Sequence, residues 1–267
     1  MEFDLDKIVN YLKPYCSRLN SLYVWEPPSD KYLINGENDE IFSVEERNKL
    51  LSEKNMFERN VTLKNILSKK IYLTDSPDNK KIIFKWIVNK WGGINVKDID
   101  KLHTRIINFL NQKLDTTKLN FNGISSISKV LSFISPEKYI IYDARVAYSM
   151  NWILLKTNAS EMFFPMPESR NSKLSAIDIS TLIRLSKVHN YKNNLESKRI
   201  ISYSDKKVFI EKSKAYTILC DLILEINKNL WQDNRKEYPF YTEMLLFSLA
   251  DNIIFSDVLN FCNLDIV

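Results

Sequence analysis

Residues 122–152 read NGISSISKVLSFISPEKYIIYDARVAYSMNW, and this stretch gives the strongest indication of how the chain folds. Apolar residues at helical spacing predict one helix over 126–134 and a second over 144–155. Ser135-Pro136 separates the two, because proline cannot continue the first helix. Asp143 stands where the N-cap of the second helix belongs. Two amphipathic helices in one short stretch indicate a helical protein.

The composition of the chain points to the same class. The 267 residues are enough for one large domain or two modest ones, and only 4 of them are glycines. No glycine-rich dinucleotide or phosphate-binding loop occurs, which excludes the common nucleotide-binding motifs. Because β-sandwiches and barrels need many turn glycines, we predict an all-α, multi-helix bundle with little or no sheet. We divide it into an N-terminal helical region over 1–75, a core over 76–160 and a C-terminal helical region over 161–267.

Charge and cysteine content narrow the partner and the compartment. The net charge of +5 permits a nucleic-acid partner without requiring one. The 3 cysteines are far apart and only 2 histidines are present, so we expect no metal or nucleotide cofactor, and reduced thiols in the cytoplasm. The charged N-terminus is unlike a signal peptide. The longest apolar runs, such as Met244–Leu249, are too short to span a bilayer, so we expect no membrane partner.

The start of the first helix has the features of a phosphate-binding turn. Gly123 is free to adopt a positive φ, and a helix that begins directly after it directs backbone N–H groups outward. Ser125, Ser126 and Ser128 suit such a helix start, and Lys129 adds a cation nearby. Contacts of this kind grip a DNA phosphate without reading the base sequence. The sequence therefore predicts a DNA-backbone contact at Gly123 and the three serines.

The segment Gly123–Val146 resembles the helix–hairpin–helix DNA glycosylases, the superfamily that includes 8-oxoguanine and mismatched-adenine glycosylases. The resemblance maps the phosphate-gripping hairpin onto Gly123-Ile124-Ser125, with Ser125 in place of the second hairpin glycine, and the essential aspartate onto Asp143. It implies a two-lobed helical fold with a helix–hairpin–helix motif. It also implies that the chain, as a monomer without cofactor, flips and excises a damaged or modified base from double-stranded DNA.

The resemblance also assigns roles to individual residues. Asp143 would stabilise the positive charge that develops on the sugar as the glycosidic bond breaks, and Arg145 would contact DNA or orient that carboxylate. Family members that also cleave the strand use a lysine where Ile127 stands, so we predict monofunctional excision. Lys129, roughly 200° further around the helix, is a second candidate catalytic residue. The candidate pocket residues are Tyr142, Trp152 and Glu243.

Most of these residues also have a structural interpretation. Asp143 is a good N-cap, Lys129 is typical of a solvated helix face, and Trp91 is typical of a core. Glu243 and Asp251 lie in an otherwise apolar helix and need a cationic partner from a neighbouring helix. The main alternative function is a non-catalytic helix–hairpin–helix DNA-binding protein. A helical protein-interaction domain is the third hypothesis.

Overall fold

The computed structural model describes residues 2–26, 41–111, 121–169, 171–187 and 208–263, and these ranges are mostly helical. Within them, the β pairing consists of one isolated parallel bridge between Phe163 and Phe209. The predicted all-α class is therefore confirmed.

Thirteen α-helical segments can be named within the described ranges. In chain order they are α1 (Leu5–Leu12), α2 (Leu19–Leu22), α3 (Val44–Ser52), α4 (Met56–Leu73), α5 (Pro77–Lys85), α6 (Ile99–Leu110), α7 (Ile124–Ile134), α8 (Ala144–Thr157), α9 (Ser172–Ala176), α10 (Ile179–Lys187), α11 (Lys212–Leu230), α12 (Phe240–Leu249) and α13 (Phe255–Phe261). Turns of 3₁₀-helix cover Lys13–Arg18 and Asn234–Glu237, and turns of π-helix cover Trp86–Trp91 and Ala250–Ile254. The two helices predicted in the opening stretch are α7 and α8, each slightly longer than predicted.

Side-chain caps set the beginnings of several helices. At α3, Ser43 Oγ accepts a hydrogen bond from the Glu46 N–H at 3.2 Å, and Glu46 Oε2 accepts one from the Ser43 N–H at 2.8 Å. At α8, Asp143 Oδ1 accepts from the Val146 N–H at 3.0 Å, which confirms the predicted N-cap. Each cap satisfies a backbone donor that the helix itself leaves unpaired.

The apolar period of residues 79–91 predicts a helix that stops at Gly92-Gly93, but this helix is not regular to its end. α5 stops at Lys85 and continues as the π-helical turn Trp86–Trp91, in which backbone hydrogen bonds span one residue more than in an α-helix. The Gly92 N–H donates to the Ile87 carbonyl at 2.8 Å, and Gly93 then adopts a φ of +64°. The predicted stop at the two glycines is confirmed. The π turn differs from the prediction, because a 3.6-residue apolar period does not reveal one inserted residue.

Helix α8 lies at the centre of the bundle. It packs against α1, α10 and α12, and its residues from Val146 to Leu155 are buried. Helices α4 and α6 pack against α7, and α1 packs against α11. A single hydrophobic cluster includes residues from all three regions of the chain. Burial on nearly every side explains why α8 and α12 are apolar almost all round.

The C-terminal helices run on from one another. α12, the π turn Ala250–Ile254 and α13 form one helix of 22 residues, Phe240–Phe261, which is long and apolar enough to cross a membrane by length and composition. This corrects the expectation drawn from Met244–Leu249, which considered only short apolar runs and not the whole helix. Half of the most apolar window of this helix is buried inside the fold.

Candidate functional site

A cavity of about 650 Å³ lies where the starts of α7 and α8 meet α12. Small-molecule sites commonly have volumes of about 300–1,000 Å³, so this cavity is large enough to hold a ligand. Segments that are distant in the chain form its wall. Its lining includes Trp25, Trp91, Gly92, Gly123, Ser125, Ser126, Lys129, Asp143, Arg145, Lys212, Glu243 and Phe247.

The turn before α7 forms one edge of the cavity. The Ile124 N–H donates to the Phe121 carbonyl at 3.0 Å and closes the turn. Gly123 has a φ of +72°, a conformation that costs an L-residue about 1–2 kcal/mol. Arg105 on α6 donates from Nη2 to the Asn122 carbonyl at 2.8 Å and ties the turn to the neighbouring helix. The predicted positive φ at Gly123 is confirmed.

The three serines of the predicted phosphate contact have different surroundings. Ser126 is partly exposed and lines the cavity. Ser125 also lines the cavity, and its Oγ donates to the Tyr142 carbonyl at 3.2 Å. Ser128 is fully buried, and its Oγ accepts from the Tyr142 N–H at 2.9 Å. The prediction that Ser128 contacts DNA is therefore wrong, because its hydroxyl group ties α7 to the segment before α8.

Asp143 is both an N-cap and a cavity residue. Its Oδ1 accepts from the Val146 N–H, as described above. Its side chain is partly exposed and lines the cavity. No described residue donates a hydrogen bond to its Oδ2. The structural and the functional interpretation of Asp143 are thus compatible, because capping uses one oxygen and leaves the other available.

Lys129 is not a solvated helix lysine. Its side chain is 8% exposed and lines the cavity, and within the described part of the chain Nζ has no hydrogen-bond or ion-pair partner. Burial lowers the pKa of Lys129, against the opposing effect of the nearby Asp143 and Glu243 carboxyl groups. Ile127 is fully buried. The amine near the cavity therefore comes from Lys129, two residues beyond the position where the family resemblance would place it.

The lysine packs directly on a glycine of the π turn. A Cβ atom added at Gly92 would lie 2.7 Å from Lys129 Cδ, 2.9 Å from its Cε and 2.8 Å from the Val88 carbonyl oxygen. Only a residue without a side chain leaves this space open. The glycine pair that ends the π turn therefore also makes room for the buried stem of Lys129.

Glu243 reaches the cavity from α12. It is 4% exposed, and its Oε2 accepts from the Ile141 N–H at 3.4 Å. Burial raises the pKa of Glu243 to about 7, the Asp143 carboxylate raises it too, and Lys64 on α4 lowers it. The Lys64 Nζ is held at 3.0 Å from Ser132 Oγ and lies over the Phe133 ring. The predicted cationic neighbour of Glu243 is therefore present, although it hydrogen-bonds to α7.

Arg145 is held in the cavity wall by an ion pair. Its Nε donates to Asp251 Oδ2 at 2.5 Å, which confirms the predicted cationic partner of Asp251. Asn171 Nδ2 donates to the other Asp251 oxygen at 2.7 Å. The Arg145 guanidinium also lies 4.9 Å from the centre of the Phe247 ring and 6.0 Å from that of Trp25. These contacts fix Arg145 beside two aromatic rings of the cavity.

Two predicted pocket residues lie elsewhere. Tyr142 is fully buried and donates from its hydroxyl group to the Pro165 carbonyl at 2.7 Å. Trp152 is fully buried in α8, and its Nε1 donates to Asp257 Oδ2 at 2.8 Å. Neither residue lines the cavity, and both belong to the core instead. The prediction that they form the pocket is wrong, because the face of α8 that carries Trp152 packs inside the bundle.

Several lining residues escaped the sequence interpretation. Trp25 and Phe247 meet edge to face, with ring centroids 5.8 Å apart, although 222 positions separate them. Lys212, at the exposed start of α11, lies over the Phe121 ring at 5.7 Å. Trp91 has the predicted core position and also borders the cavity. In the sequence, the adjacent glycine pair is the feature that distinguishes Trp91. No neighbouring residues distinguish Trp25, Phe247 or Lys212 in this way.

Comparison with models of protein families, with curated proteins and with solved structures finds no significant match to this chain.

Proposed function

We propose that the protein is a DNA glycosylase that takes a flipped base of double-stranded DNA into the cavity and breaks its glycosidic bond. The observation that carries the proposal is the combination of three features, the Gly123 turn, the cavity beside it and the Asp143 carboxyl group that lines this cavity. A glycosylase needs these three things together, namely a grip on the DNA backbone, a pocket for the base and a carboxylate beside the sugar. We propose that it acts as a cytoplasmic monomer.

Each group has a role in this proposal. The turn holds a phosphate through backbone N–H groups and Ser126, while Lys212 adds positive charge at the rim. Trp25 and Phe247 supply aromatic faces for stacking the flipped base. The free Oδ2 of Asp143 stabilises the positive charge that develops on the sugar as the bond breaks. Arg145 keeps the aromatic wall in place through its contacts with both rings.

The buried Lys129 amine opens a second route for the same reaction. In monofunctional excision, which the position of Ile127 favours, water adds to C1′ and the base leaves with the bonding electron pair. An unpaired amine with a lowered pKa is, in contrast, a good nucleophile, because more of it is uncharged at neutral pH. Attack by Lys129 on C1′ would break the glycosidic bond, so that the base leaves with the electron pair and takes up a proton that the amine loses, and ring opening would then give an imine that borohydride reduces to a stable link. Trapping of protein on DNA therefore distinguishes the two routes.

The test is an excision assay on duplexes that carry damaged, mismatched and naturally modified bases. Abasic sites are detected by strand cleavage with hot alkali. Asp143→Asn should abolish excision, because asparagine keeps the N-cap and removes the charge. The matched control is Asp98→Asn, an exposed N-cap aspartate at α6 that accepts from the Lys101 N–H at 2.9 Å, and it should retain wild-type excision.

The alternative hypothesis is a DNA-binding protein without turnover. It predicts binding that weakens steeply with salt, no abasic sites on any duplex, and no effect of Asp143→Asn. Wild-type protein that binds DNA but excises nothing would refute the glycosylase proposal in favour of this alternative. Excision that survives Asp143→Asn would refute the role assigned to Asp143.

A further inference from the structure

A second carboxyl group, that of Glu243, lines the cavity together with Asp143. Its Oε2 accepts the hydrogen bond from the Ile141 N–H, and no described residue donates a hydrogen bond to its Oε1. Oε1 is not among the completely buried, unpartnered polar atoms of the described residues, and it keeps some accessible surface in the cavity. Oε1 is therefore available to a molecule that fills the cavity.

Charged groups from three other elements face this carboxyl group. Lys64 comes from α4, Lys129 from α7, and Asp143 from the start of α8. Two phenols, those of Tyr23 and Tyr216, also face it and stay neutral, because burial raises the pKa of each well above its usual value. Burial and the Asp143 carboxylate favour the protonated form of Glu243, whereas the two lysines favour the ionised form. With its pKa raised to about 7, Glu243 carries a proton in part of the molecules at neutral pH.

We propose that Glu243 is the general acid that protonates the departing base, an inference that rests on the proposed glycosylase function. As the bond between C1′ and the base nitrogen breaks, its electron pair moves onto the base, and the proton on Glu243 Oε1 moves to a ring nitrogen or carbonyl oxygen of the base. Asp143 stabilises the sugar cation. Water then adds to C1′, and the proton that this water loses restores Glu243. The sum is the substrate plus water giving an abasic sugar and the neutral base.

The two carboxyl groups are suited to different roles. Asp143 is partly exposed, one of its oxygens accepts the Val146 N–H, and its side chain lines the cavity. Glu243 is desolvated and lies near that carboxylate, which favours an acid. A partly exposed carboxyl group and a desolvated one can serve as charge stabiliser and proton donor in one site.

A general acid at Glu243 would also select a class of substrate. A base that is uncharged in DNA would leave as an anion unless it is protonated, so its excision gains from an acid. A base with a fixed positive charge, such as an N7-alkylated purine, leaves as a neutral molecule and gains nothing from one. We therefore assign the cavity to uncharged bases. These include unaltered bases in a mismatch and bases that carry an uncharged substituent on the ring.

The test measures single-turnover excision against pH on the best duplex with an uncharged base. Wild-type excision should slow tenfold per pH unit above about pH 7 as Glu243 loses its proton. Glu243→Gln should be slower by about 10²–10⁴-fold below that pH, the usual contribution of general acid catalysis, and should not slow further above it. Lys64→Met removes a cation that favours the ionised form, so it should move the slowing to higher pH. The control Glu225→Gln, at an exposed position of α11, should match the wild type.

Outcomes that overturn the inference differ from those that overturn the proposed function. Excision by Glu243→Gln at the wild-type rate, or with the wild-type slowing above pH 7, would refute the acid role and leave the glycosylase function standing. An unchanged pH dependence in Lys64→Met would do the same. A wild type that excises no base from any duplex would refute the function and the inference with it.

Discussion

Replacing Glu243 with glutamine should change how the stability of the protein depends on pH, whatever the substrate is. Burial raises the pKa of Glu243 from 4.5 to about 7 in the folded chain, whereas the unfolded chain keeps the ordinary value. The folded protein therefore binds the proton more tightly. The stability that this provides is fully present below about pH 4.5 and is lost as the pH rises through about 7. A difference of roughly 2.5 pKa units at about 1.4 kcal/mol each corresponds to about 3 kcal/mol.

The measurement is urea unfolding at several pH values between about 4.5 and 7.5, followed by tryptophan fluorescence. The free energy of unfolding of the wild type should fall relative to that of Glu243→Gln by about 3 kcal/mol across this range, because glutamine does not titrate. Glu225→Gln, at an exposed site, should follow the wild type. If the difference in unfolding free energy between the wild type and Glu243→Gln is the same at all pH values, folding does not raise the pKa of Glu243.

Substitutions at three cavity residues test the site by stability alone. Asp143→Ala should lower the free energy of unfolding by about 1 kcal/mol through loss of the N-cap, while Asp143→Asn should stay close to the wild type; equal losses would contradict the capping role. Gly92→Ala should lower the free energy of unfolding by about 1–3 kcal/mol, since its Cβ would lie 2.7 Å from Lys129 Cδ. A melting temperature equal to that of the wild type would contradict this close contact. Lys129→Met should stabilise the protein, because an unpaired buried amine is replaced by an apolar side chain. A lower free energy of unfolding in urea would contradict this and would indicate that the amine has a partner.

The elements that the sequence predicted well are those whose signals are local. The apolar residues of α7 and α8 recur at helical spacing within each segment, and the Asp143 cap depends on a residue three positions further along the chain. Gly123 needed only its own freedom to adopt a positive φ. The stability of such features depends on residues that are close in the chain, so the amino-acid sequence is enough to predict them.

The composition of the cavity wall could not be predicted in the same way. Trp25 and Phe247 meet only because α12 packs against α2 and α8. Lys129 was expected in solvent because lysine usually is, and its burial depends on the space above Gly92. The π turn that precedes Gly92 adds one residue without changing the apolar pattern visibly. Each of these depends on tertiary packing, which the helical period does not encode.

The buried ionisable groups bear on the choice between an enzyme and a DNA-binding module. A module that only grips DNA needs the Gly123 turn and exposed cations such as Lys212, which are stable in solvent. It has no use for an unpaired amine at Lys129 and a carboxyl group with a raised pKa at Glu243, both of which are desolvated at a cost to the folded state. Groups of this kind are typical of sites where protons or electron pairs are transferred. Their position beside Asp143 favours excision over binding alone.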